Sequence, residues 1–80
     1  MALKQIKKSA PVQWEGFLHN GKFIFIEYKY NKLYVGIGDK RIDAVMNKEE
    51  IFANTNIEYG FIDEETMLSI LENILKIYRS

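Results

Sequence analysis

Residues 12–38 read VQWEGFLHNGKFIFIEYKYNKLYVGIG, and the division of this stretch decides the fold. Asn20-Gly21 is the strongest short hairpin signal a sequence carries, because a two-residue mirror-image turn needs positive φ at both central positions. It separates VQWEGFL (12–18) from KFIFIEYKY (22–30), a run dense in β-branched and aromatic residues. Asn31-Lys32 is a weaker turn, and LYVGIG (33–38) reads as a third strand ended by Asp39-Lys40. Pro11 marks where structure begins, since proline suits the first residue of a strand.

Toward the C-terminus, Asp63 is a predicted N-cap, with Glu64 and Glu65 in the first turn where carboxylates favour the helix dipole. Met67, Leu68, Ile70, Leu71, Ile74, Leu75, Ile77 and Tyr78 then cover about half a helix circumference. Between these elements, Ile42, Val45, Met46 and Phe52 can share a helical face while Ile51 falls opposite, so a short helix is expected within 41–56. Asn54 to Asn56 form a break, and IEYGF (57–61) reads as a short fourth strand or an extended linker. Residues 1–10, with Lys4, Lys7 and Lys8, read as a flexible basic arm. The expected fold is α+β: a three-stranded antiparallel meander, with a fourth short strand optional, packed against a C-terminal amphipathic helix in one domain over 11–80.

Eighty residues with 48% apolar content make a single globular domain near the lower size limit for independent folding. Its stability margin is thin, and association with a second copy would widen it. Eleven acidic residues balance eleven basic ones, which argues against a dedicated duplex-DNA binder. The absence of cysteine removes disulfides, thiolate metal sites and cysteine nucleophiles, and favours a reducing cytoplasm. The first ten residues lack the apolar segment of a secretory signal, and no apolar run approaches the ~20 residues a membrane span needs. Eleven Ile, nine Lys against two Arg, and six Asn fit AT-rich coding, as in a low-GC bacterium or one of its phages.

Counting outward from two-residue turns at 20–21 and 31–32 sets Leu18 opposite Phe23, Gly16 opposite Phe25, Trp14 opposite Glu27 and Val12 opposite Lys29. It also sets Lys29 opposite Tyr34, Glu27 opposite Gly36 and Phe25 opposite Gly38. One face then holds Phe17, Ile24, Ile26, Tyr28, Tyr30, Leu33, Val35 and Ile37, the predicted core beneath the helix. The other holds Val12, Trp14, Leu18, Phe23, Phe25, Glu27, Lys29 and Tyr34, interspersed with Gly16, Gly36 and Gly38. A solvated face should alternate to polar residues, so this second face needs cover. The 41–53 segment, a second copy of the chain, or a ligand or partner protein would each supply it.

The ligand reading gives a groove floored by glycine, walled by Trp14, Phe25 and Tyr34, and holding Glu27 and Lys29. Lys40 and Arg41 would sit at its rim, beside a Gly36-x-Gly38 backbone able to hold phosphate oxygens, although the spacing matches no established phosphate loop. Trp14, Phe25, Glu27, Lys29, Tyr34, Gly36, Lys40 and Arg41 are therefore the candidate ligand-binding residues. No catalytic set, metal-ligand set or cofactor motif is present. His19 reads as a turn residue, and Glu15 and Glu27 are expected on opposite faces, which makes them poor paired carboxylates.

The expectation is a small non-enzymatic binding protein that associates with itself, needs no cofactor and acts in the cytoplasm. In its concrete form, a phage or mobile-element protein sequesters a nucleotide-like signal or counters a host defence protein, with aromatics stacking a base and Lys40 and Arg41 pairing with phosphate. The alternative is a protein–protein inhibitor or regulatory subunit with no small-molecule ligand. Membranes and nucleic acid are not expected partners.

Overall fold

The computed structural model describes residues 2–8, 11–53 and 62–79, and the side chains of α2 as far as Asn73. Five strands form one antiparallel meander in the order β1-β2-β3-β4-β5: β1 (Ala2–Lys7), β2 (Val12–Phe17), β3 (Phe23–Lys29), β4 (Lys32–Gly38) and β5 (Glu49–Ala53). The helix α1 (Arg41–Met46) joins β4 to β5, and α2 (Glu64–Arg79) ends the chain. No described helix is long and apolar enough to cross a membrane.

The α+β class and the meander agree with expectation, but the sheet has five strands among the described residues instead of three or four. Residues 2–7, expected within a flexible arm, form β1 on β2. Leu3 and Ile6 supply the reason: Leu3 packs against one core cluster and Ile6 against the other, with a bulge between Gln5 and Lys7 re-aiming the strand. The short helix in the middle segment is present over Arg41–Met46, but Phe52, expected on its face, lies in β5. The fourth-strand candidate at 57–61 lies outside the described residues; the described strand that precedes it is β5, where Phe52 pairs with Leu33 and Glu50 with Tyr34 across a bulge.

Both hairpins close differently from the expected turns. Leu18 N–H donates to the Lys22 carbonyl at 2.8 Å and Gly21 N–H to the Leu18 carbonyl at 3.0 Å, enclosing a three-residue loop. Only Gly21 takes positive φ there, at 83°, while the Asn20 side chain accepts from Lys22 N–H at 3.0 Å. Asn20 thus acts through its side chain and not as the left-handed partner of Gly21. The extra loop residue moves β2 by one, so Trp14 opposes Ile26 and Glu15 opposes Phe25. A one-residue slip turns every β2 side chain to the other face. The second turn sits at Tyr30 (φ 53°) and Asn31 (φ 60°), one position earlier than expected. That moves the β4 pairing by two, so Glu27 opposes Tyr34 and Phe25 opposes Gly36, and faces are preserved.

The face under α2 therefore holds Val12, Trp14, Ile24, Ile26, Tyr28, Leu33 and Val35, packed with Ile62, Met67 and Leu71. Phe17, expected there, lies on the opposite face, and Tyr30 is an exposed turn residue. The predicted N-cap of α2 is present: Asp63 Oδ1 accepts from Thr66 N–H at 2.7 Å, and this bond, with a second from the Thr66 side chain, holds the Asp63 carboxyl below its usual pKa. The apolar positions expected at Ile74, Leu75, Ile77 and Tyr78 lie beyond the described side chains.

Candidate functional site

The second face is covered in part by the protein itself. A Cβ on Gly36 would overlap the Ala44 carbonyl, and one on Gly38 would lie 2.8 Å from Ala44 N. These two bare strand positions let α1 lie flat on β4, with buried Ala44 closing over Phe23 and Phe25. The glycines that suggested a groove floor are the seat of a helix: Gly36 is buried beneath it, and half-buried Gly38 opens only onto a hollow shared with two carboxylates, Asp39 and Asp43.

The eight candidate ligand-binding residues do not form one surface. Trp14 is fully buried on the α2 side, where its Nε1–H donates to Glu64 Oε1 at 3.1 Å. Phe25 points the other way and is 3% exposed beneath α1. Arg41 is occupied in a 2.8 Å bond from its Nε to Glu15 Oε2, and Lys40 is exposed at the start of α1. Glu27, Lys29 and Tyr34 do share the face with Phe25 and Gly36. The stacking pair of the expected groove is thus split across the sheet by the β2 shift.

What the sheet does assemble on this face is a charged cluster at Glu27, which is only 4% exposed. Gln13 Nε2 donates to its Oε2 at 2.7 Å, Lys48 Nζ to its Oε1 at 2.8 Å, and Lys29 Nζ lies 4.0 Å away. Lys48 also lies 5.9 Å from the Phe25 ring centroid. Burial pushes the Glu27 pKa up, but the bonds from Lys48 and Gln13 and the two ammonium charges outweigh it, so the pKa falls below its ordinary value. Glu15, expected on the opposite face, shares this one. Each carboxylate has its own cation, Arg41 or Lys48. Glu27, held ionised and bonded at both oxygens, has no proton to donate at neutral pH and is a weak base.

Sequence reasoning missed Gln13 and Glu15 because the turn placed them on the wrong face, and Lys48 because it lies in the segment without a clear period. A hollow of about 240 Å³ beside Phe17 and Phe23, also lined by Lys4 and Glu15, falls below the usual size of a small-molecule site. Among the described residues no group of three metal-ligating side chains occurs. No family model, curated protein or solved structure matches this chain.

The Glu27 cluster gives a first prediction. Lys48→Met should cost about 1.5–3 kcal/mol at neutral pH, the range for hydrogen bonds to charged groups, since Lys48 is partly solvated. In the wild type the Glu27 pKa is lowered on folding, so its stabilisation is present above the unfolded value and is lost as pH falls through the folded value. The variant loses the bond and the charge of Lys48, so its Glu27 pKa lies above that of the wild type. The stability gap between the two should therefore be widest near neutrality and close in acid. Urea titrations across pH check this, and a pH-independent gap would remove the assigned role of Lys48.

Proposed function

We propose that the chain is a non-enzymatic protein-binding module, in the manner of an inhibitor or regulatory subunit, that presents the outer face of α1. The observation carrying this reading is a pair of exposed apolar side chains one helical turn apart, Ile42 at 67% and Met46 at 78%. They lie opposite Ala44, which seats the helix on Gly36. A helix fixed against a sheet and offering i and i+4 apolar anchors suits a recess on a partner protein. Rigid mounting reduces the ordering entropy lost on binding. The nucleotide-binding reading has less support, because Trp14 and Phe25 are buried on opposite faces and Arg41 is paired with Glu15.

A photo-crosslinking residue at position 42 or 46 should yield a discrete adduct with another protein in the native host, whereas one at exposed Glu65 should not. Equal labelling from all three positions would sink the proposal.

A further inference from the structure

The two outermost strands carry opposite charge. Lys4, Lys7 and Lys8 are exposed on or beside β1, and residues 2–8 include no carboxylate. Among the described residues no carboxylate lies within 4.0 Å of any of these three lysines. At the other side of the sheet, β5 begins with exposed Glu49 and Glu50, and Glu50 shares Lys32 of the neighbouring strand at 3.3 Å. Lys48, directly before β5, is turned inward to Glu27 and does not neutralise this edge. Among the described residues no strand pairs with the outer side of β1 or β5.

We propose that copies of this chain join head to tail, β5 of one against β1 of the next, to continue the sheet across molecules. Lysines on an edge strand by themselves are a common guard against strand addition. Opposite signs on the two edges do more than guard. Pairing β1 with β1 sets lysines against lysines, pairing β5 with β5 sets glutamates against glutamates, and only the mixed junction is matched. In a meander of antiparallel neighbours β1 and β5 run in the same direction, so a junction keeping α1 on one side is parallel. That arrangement also aligns the charges. Lys4 and Lys7 register with Glu15 and Gln13 on the α1 face, and Glu50 registers with Tyr34 on the same face. Zero net charge removes long-range repulsion between copies. Such a heterologous contact closes into a ring or extends as a filament. It uses neither Ile42 nor Met46, so it stands apart from the α1 reading.

Light scattering across a concentration series tests it. The wild-type mass should rise above that of one chain at low salt and fall back at high salt. Lys4→Glu with Lys7→Glu, and separately Glu49→Lys with Glu50→Lys, should each weaken self-association by at least about tenfold. An equimolar mixture of the two variants should assemble again, because each retains the edge the other needs. A wild type that stays monomeric at every concentration overturns the proposal, as does a mixture of folded variants no more associated than either alone. The salt series needs no variant, so assembly unmoved by salt overturns it even where a double reversal unfolds the chain.

Discussion

Gly36→Ala is expected to destabilise the protein by about 3 kcal/mol and to lift α1 from the sheet, although it adds a single methyl group. The added carbon would fall on the Ala44 carbonyl and 2.8 Å from Lys48 N, which are backbone atoms and cannot rotate away. Relief requires α1 to move bodily from β4, which opens Phe23 and Phe25 to water and draws Lys48 from Glu27. Gly21→Ala is the control. It meets nothing within 4 Å, and its cost comes only from holding alanine at φ 83°, about 1–2 kcal/mol. Urea titration gives both values, and hydrogen exchange separates the causes. In Gly36→Ala, the Ala44 and Asn47 amides, which bond the Lys40 and Asp43 carbonyls, should exchange faster than the β2–β3 ladder. Unchanged α1 protection would show that the helix is not seated on this glycine.

This dependence bears on what could be read from residues alone. The strands β2 to β4, the short middle helix and the Asp63 cap carry local signals, and each is present. Gly36 and Gly38 stood out beside the aromatics, but their purpose depends on where α1 lands, a long-range fact that no local pattern carries. β1 was hidden because two apolar side chains among lysines resemble a solvated tail until both cores are known. Trp14 left the expected groove at a single step. Asn-Gly admits a two-residue turn or a three-residue loop ending in left-handed glycine, and the choice sets the facing of all of β2. The second turn was also displaced, yet by an even count, so Phe25, Glu27, Tyr34 and Gly36 still share a face. Parity, more than the size of the error, decided which candidate residues stayed together.

Trp14 is where that parity has the largest measurable consequence. Were it a wall of an open groove, Trp14→Ala would leave stability nearly unchanged and remove binding. Fully buried among Val12, Ile24 and Ile26 on the α2 face, it should instead cost about 3–5 kcal/mol on truncation, a large share of what an 80-residue domain possesses. Trp14→Phe keeps most of the apolar bulk and loses the indole N–H donated to Glu64, so its cost should be several-fold smaller. Glu64→Ala removes the same bond from the other side and should cost about 0.5–1.5 kcal/mol. Because the bond fastens the first turn of α2 to β2, both variants should raise hydrogen exchange at the start of α2 more than in β3 and β4. Trp14 is the only tryptophan, so fluorescence reports on it alone. Its emission should be blue-shifted and resistant to acrylamide in the folded protein. Emission at the wavelength of free tryptophan, or a Trp14→Ala variant of wild-type stability, would return Trp14 to the surface and restore the stacking groove as the leading reading.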